Sequence, residues 1–366
     1  MRVIAVANQK GGCGKTTTAI NFAACLAFLQ KKILLMDLDP QGHSTCGLGL
    51  ESKKISGTLY DVLKGDEPSP NLSRILHEVE PNVFVAPSSL ALSELEEQLL
   101  LAPDRDKRLK EELARVSDHQ NMNFDFALID CPPNLGILTA NAFEAADEVI
   151  IPIEPSFFSL HGLAKISETI QRVNQRRDRP LRVHALLVIF DSRTSFAKEV
   201  YDDVKAHFKE KLFTSIIHEC VALKEAASAG KSIVRYNRQS TAFRDYLNLA
   251  MEYLEHEWDR LLPESELGWK NFLAHRFGPK RVAGGILFQT VSKTAHGIEI
   301  AGDFNHWVPE PLVRRDEEGL WQKIVPITQG SFRYKFIIDG EWQMDPYQPM
   351  QKENAFGTYD SYLEIR

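Results

Sequence analysis

Short apolar runs at residues 3–7, 33–36, 83–86, 126–129, 149–153 and 185–190 alternate with longer stretches of mixed polarity. A run of four to six apolar residues is the pattern of a strand buried on both faces, and parallel neighbours need a crossover between them, usually a helix. The alternation therefore predicts βαβ units and an α/β fold, a parallel sheet with helices on both faces. Residues 90–116, rich in Leu, Glu, Lys and Arg, read as helices that carry no chemistry. From Ala242 to Trp258 the apolar positions 243, 246, 247, 250, 251, 254 and 258 share one helical face, which predicts a helix closing this domain.

The pattern then breaks. Pro263, Gly268, Gly278 and Pro279 bracket Trp269 to Phe277, where Trp269, Phe272, Leu273 and Phe277 fall on one side of a short amphipathic helix. An aromatic and basic segment of this kind can lie on a membrane surface, but it is short and more protein follows, so it reads as a linker. From about residue 283 short β-rich runs alternate with turns: 284–290, 297–301, 320–325, 331–338 and 359–365, with an Asp339-Gly340 hairpin signal. This predicts a small all-β sandwich. The expected division is 1–260 for the α/β domain, 261–282 for the linker and 283–366 for the sandwich.

Composition narrows the class. The chain has 366 residues and 43% hydrophobic content, enough for two cores. Its five cysteines all precede residue 221, without C-x-x-C or zinc spacing, and the eleven histidines are scattered. No apolar run reaches about 18 residues, and the N-terminus reads as a strand, so the expected location is cytoplasmic. The net charge of −7 does not decide whether a basic surface patch exists.

The densest chemistry follows the first strand: Lys10-Gly11-Gly12-Cys13-Gly14-Lys15-Thr16-Thr17, then a helical segment from Ala19. Glycines let successive N–H groups curve around phosphate oxygens, Lys15 brings a charge to the β and γ phosphates, and Thr16 offers a hydroxyl to Mg²⁺. The ordinary phosphate loop would need glycine at position 9, and this chain has Gln9 there, with an extra lysine at position 10. The pattern K-G-G-x-G-K-S/T, preceded by Asn8-Gln9, resembles the deviant Walker A signature of the ParA/MinD/Soj ATPases.

That resemblance implies an ATP-sandwich homodimer in which Lys10 reaches the partner's nucleotide. Two further segments are similar to the family's switch regions, Asp37-Leu38-Asp39-Pro40-Gln41-Gly42 and Asp130-Cys131-Pro132-Pro133. By the resemblance Lys10, Lys15 and Asp39 are catalytic, with Asp39 positioning the hydrolytic water. Gly11, Gly12, Cys13, Gly14, Lys15, Thr16 and Thr17 bind ATP, Pro152 lies near the base, and Thr16 and Asp130 serve Mg²⁺. Residues 221–233 follow the ParA/Soj branch, which binds DNA without sequence preference and is stimulated by a ParB-like partner. Arg193 and Lys224 are the expected DNA contacts, although Ala222 stands in place of the family's arginine and Glu219-Cys220 in place of its R-N pair.

The last domain carries Gly302-Asp303-Phe304-Asn305-His306-Trp307, then Tyr334-Lys335-Phe336-Ile337-Ile338-Asp339-Gly340-Glu341-Trp342 and Asp345-Pro346. These resemble the glycogen-binding module of the AMP-activated kinase β subunit, an immunoglobulin-like early-set sandwich. The resemblance implies an α-glucan site with Trp307 and Trp342 as the platform, Lys335 as donor, Phe356 as a hydrophobic finger, and Asp360 where the family has asparagine. A sandwich used only for protein contact is the other reading. The whole chain is thus expected to be an ATP- and Mg²⁺-dependent dimerising ATPase that partitions DNA or positions a cargo, associated with the nucleoid. The alternative is an ATP-switched regulator of α-glucan metabolism.

Overall fold

The computed structural model describes residues 1–51, 55–65, 70–99, 104–117, 123–255, 278–292, 294–315, 319–354 and 356–365. The chain divides into two compact units, Met1–Glu264 and Ser265–Arg366. The expected amphipathic segment Trp269 to Phe277, and Trp258, lie outside the described residues. Among the described residues no helix is long and apolar enough to cross a membrane.

The first unit is built on seven strands: β1 (Arg2–Val6), β2 (Ile33–Asp37), β3 (His77–Glu80), β4 (Val83–Ala86), β5 (Phe126–Asp130), β6 (Glu148–Ile153) and β7 (Arg182–Leu187). Their order is β3-β4-β2-β5-β1-β6-β7, and every neighbouring pair is parallel except β3 with β4. β3 was not legible as an apolar run. His77-Glu78-Val79-Glu80 is an edge strand, where polar side chains face water at no cost. It joins β4 through a tight turn in which Asn82 takes φ 64°.

Helix α1 (Lys15–Phe28) is buried along nearly its whole length against one face of the sheet, beside the helix Thr241–Glu255. Its alanines permit close approach, and the Phe22 ring meets Tyr253 edge-on at 5.4 Å. The closing helix buries the expected Phe243, Tyr246 and Ala250 together with Ala242, Leu249 and Tyr253, whereas Met251 is exposed. Its inner face thus overlaps the expected one and extends toward Tyr253. Tyr253 fixes it, because its hydroxyl donates to the fully buried Glu148 at 2.9 Å. The helices Leu92–Leu99, Arg108–Ser117, Ile137–Ala145, Phe157–Asn174 and Ser195–Phe208 are among the others of this unit. The expected strand 185–190 ends at Leu187, and Val188 and Ile189 continue the apolar run for another purpose taken up below.

The second unit holds two antiparallel sheets. One contains β10 (Ile298–Gly302), β11 (Glu310–Pro311), β14 (Gly330–Ile338), β15 (Glu341–Gln343), β16 (Gln351–Glu353) and β17 (Tyr359–Ile365). The other contains β8 (Lys280–Val282), β9 (Gly285–Val291), β12 (Val313–Arg314) and β13 (Leu320–Val325). Residues 280–282, expected in the linker, instead pair with β9, since a three-residue edge strand leaves no periodicity to read. Ile286, Phe288, Ile300, Trp321, Tyr334 and Phe336 form the core. Along β14 the alternation sends Tyr334 and Phe336 inward and leaves Lys335 on the opposite face.

Candidate functional site

β1 lies between β5 and β6, so whatever leaves its carboxyl end is flanked by the exits of both neighbours. The glycine loop leaves there. Gly12 and Gly14 take φ 75° and 81°, a left-handed backbone that side chains disfavour, and a Cβ on Gly14 would also touch Val188 at 3.4 Å. The loop curls around the Lys10 carbonyl, which accepts from Lys15 Nζ at 3.0 Å and from the buried Cys13 thiol at 3.1 Å. Burial pushes the Cys13 thiol pKa up, so its side chain is a neutral staple while its backbone belongs to the loop. Asn8 braces the loop from below, donating to Pro152 O at 2.7 Å and accepting from Lys10 N at 3.1 Å.

Gly14 caps α1 without a side-chain hydrogen bond. The first N–H groups of a fourteen-residue helix therefore point into the cleft, where its positive end favours an anion. Gly11, Gly12, Gly14, Lys15, Thr16 and Thr17 all line this cleft, which has a volume of about 1070 Å³. Val188, Ile189, Ile217 and Leu223 supply an apolar wall suited to a base. This is what the run beyond β7 builds: Ile189 turns out of the strand at φ 53°, a strained value for a β-branched residue. Pro152, expected near the base, is buried within β6, and its carbonyl accepts from Asn8.

Two acids close the metal side. Asp37 and Asp130 end β2 and β5 in register, and both are fully buried. Asp37 Oδ2 accepts from Thr45 N and Oγ1, each at 2.7 Å, and Asp130 Oδ2 accepts from Ser44 Oγ at 2.7 Å. Neither Oδ1 has a hydrogen-bond partner. Burial, with the neighbouring carboxylate adding to it, raises Asp37 to about 8. Burial likewise raises Asp130 to about 6 against the pull of the Ser44 and Thr16 hydroxyls. Two open carboxylate oxygens in register, with Thr16 beside Asp130, are a donor set that a hard divalent cation satisfies, directly or through water. Asp39, 7% exposed, sits one turn out: its carboxylate accepts from Gln41 N at 3.0 Å, and its carbonyl from Ser88 Oγ at 2.5 Å. Sequence reasoning noted both acids of this strand end but gave a role only to Asp39. The signal for Asp37 was its place as the last strand residue, level with Asp130.

Arg193 is exposed and clamped by Asp191, with Nε to Oδ1 and Nη2 to Oδ2 both at 2.8 Å, and this draws Asp191 down to about 2. Lys224 is exposed on the helix Val221–Ser228. The two lie on neighbouring segments, because Phe190 N donates to Ile217 O and Glu219 N to Phe190 O.

In the second unit, Trp307 and Trp342 meet with ring centroids 6.2 Å apart and tilted by 35°. Trp307 is presented by a turn in which it and His306 both have positive φ, and its Nε1 donates to Asp303 Oδ1 at 2.9 Å. Lys335 was expected as a sugar donor, but its ammonium is held by Asp360 Oδ1 at 3.1 Å, which also accepts from Asn354 Nδ2 at 2.8 Å. Asp360, which stands where the family has asparagine, is thus engaged within the fold. Asn354 also braces the turn bearing Phe356, which is 91% exposed.

Comparisons with known proteins follow the same division. The family described as AAA domain matches residues 1–183, and the family described as the glycogen recognition site of AMP-activated protein kinase matches residues 290–366. Over 252 residues the chain is 38% identical to the sporulation initiation inhibitor protein Soj of Bacillus subtilis (strain 168), covering 69% of this chain and 97% of that protein. It is 39% identical over 258 residues to the chromosome partitioning protein ParA of Myxococcus xanthus (strain DK1622), covering 70% and 89%. The solved structure of cobyrinic acid a,c-diamide synthase from Mycobacterium smegmatis, with bound ADP and magnesium, matches with a TM-score of 0.61 at 32% identity. That match covers 72% of this chain and 99% of that one.

Proposed function

The chain belongs to the ParA/Soj family of partitioning ATPases, and from that premise we propose that ATP joins two copies of it into a dimer that positions DNA or another cargo. It is a P-loop ATPase that uses ATP and Mg²⁺. The observation that carries the proposal is a second lysine, Lys10, on the outer side of a phosphate loop already served by Lys15. One ammonium suffices to hold a triphosphate in its own chain. A second beside it suits a nucleotide bound by a partner.

Each residue then has a task. The N–H groups of Gly11 to Thr17 and the Lys15 ammonium hold the β and γ phosphates, and Asn8 and Cys13 keep the loop curved. Thr16, Asp37 and Asp130 would hold Mg²⁺, which when bound would neutralise charge on the phosphate oxygens. Asp39 orients the water that attacks the γ phosphorus, breaking its bond to the bridging oxygen and releasing ADP and phosphate. Hydrolysis removes the link between protomers and resets the switch in the cytoplasm.

Arg193 and Lys224 are the contacts for non-specific DNA, weakened relative to the family pattern by Asp191, Ala222 and Glu219. A ParB-like or other partner stimulates turnover. The sandwich recruits a partner or cargo, and the Trp307–Trp342 pair favours an α-glucan as its ligand, because sugar C–H faces stack on indoles. Sedimentation of Asp39→Ala with saturating Mg·ATP tests the central claim. A dimer is expected, and a monomer under those conditions overturns it.

A further inference from the structure

The Lys10 ammonium is turned toward its own chain. It donates to Glu154 Oε2 at 2.5 Å and to Ser156 Oγ at 2.8 Å, both just beyond the end of β6. β6 is the neighbour of β1, so sheet order brings these groups to the outer side of the loop. The backbone beneath is fixed too, through Asn8 and through the carbonyl that Lys15 and Cys13 share. The side chains of Lys10 and Glu154 are 24% and 28% exposed, so water only partly screens their attraction.

We infer that Glu154, seconded by Ser156, is an intramolecular latch that holds Lys10 in its own protomer and sets how readily two nucleotide-loaded chains pair. The inference rests on the reading above that Lys10 links one protomer to the other's nucleotide. A lysine held at 2.5 Å from a carboxylate must leave it to reach a partner's phosphates, and a dimer requires two such exchanges. A partner's triphosphate offers more negative charge than one carboxylate and can draw the lysine away. A diphosphate lacks the γ group and leaves Lys10 with Glu154. The latch therefore sharpens the difference between the ATP and ADP states without touching the hydrolytic water, and its free energy is subtracted from that of pairing.

The test uses the full-length Asp39→Ala chain with saturating Mg·ATP, compared with the same chain carrying Glu154→Gln or Ser156→Ala. Equilibrium sedimentation reads the dimer dissociation constant. Two partly exposed ion pairs released together predict a constant about 2- to 30-fold lower for Glu154→Gln. Ser156→Ala changes no charge and is expected to lower it by a smaller factor. The gap between parent and Glu154→Gln should narrow as ionic strength rises, which a purely structural role would not produce. A constant that is unchanged or higher in Glu154→Gln overturns the latch. So does a Ser156→Ala constant equal to the parent's, since the carboxylate would then act only by repelling nucleotide. If the Asp39→Ala parent itself stays monomeric, the dimer reading has failed instead.

Discussion

Both units bury carboxylates, and they treat them differently. Asp37 and Asp130 in the first unit each have one oxygen bonded within the fold and one without a hydrogen-bond partner. Asp345 in the sandwich is nearly as buried, yet both of its oxygens are bonded, Oδ2 to the Tyr334 hydroxyl at 2.6 Å and Oδ1 to Tyr347 N at 2.8 Å. Burial raises all three, to about 8, about 6 and about 7. A raised carboxyl therefore does not by itself mark a site. What sets Asp37 and Asp130 apart is an open oxygen at the ends of the strands beside the phosphate loop, because leaving a buried acceptor unpaired costs about 1–3 kcal/mol unless a ligand supplies what the fold withholds.

The largest expected effect breaks that comparison most directly. Asp130→Asn should reduce Mg²⁺-dependent phosphate release by about 10- to 100-fold, whereas Asp345→Asn should leave it within about twofold. Equal losses in a phosphate-release assay would mean that the two environments are not distinguished by their open valences.

Next comes stability against pH. Asp345 keeps its proton in the fold up to about pH 7, while the unfolded chain loses it near the ordinary carboxylate value. Its contribution is full below about pH 4 and is lost as pH rises through about 7, an upper limit of about 4 kcal/mol. Calorimetric scans from pH 5 to 8 should show a falling melting temperature, flattened in Asp345→Asn. An identical slope in the variant would assign the fall to other groups.

The smallest effect sharpens the comparison within the sandwich. Asp360→Asn releases Lys335 from its ion pair and should raise retention on amylose a few-fold, by about 1 kcal/mol or less. Lower retention in the variant would show that Asp360 contacts the glucan itself.

The legible part of this molecule is the part built from consecutive residues. The glycine loop, its lysines and α1 are one stretch, since a phosphate cradle is made of neighbouring N–H groups. The strands β1, β2, β4, β5 and β6 were visible as apolar runs because they are covered on both faces. What escaped was set by edges and by distance along the chain. β3 and β8 are short edge strands with little apolar content. The brace from Asn8 to the Pro152 carbonyl spans 144 positions of chain, so no local pattern announces it.

The sequence by itself determined that a triphosphate would be held at the end of β1, because backbone geometry and helix polarity are local properties. Only the tertiary structure decided what surrounds it. The β5-β1-β6 order places Asp130 on one side of the loop and Glu154 on the other, at separations in the chain where no periodicity operates. The same holds in the sandwich, where Lys335 and Asp360 meet through the pairing of β14 with β17. Charges pair according to which strands become neighbours, and that choice belongs to the packing of the whole sheet.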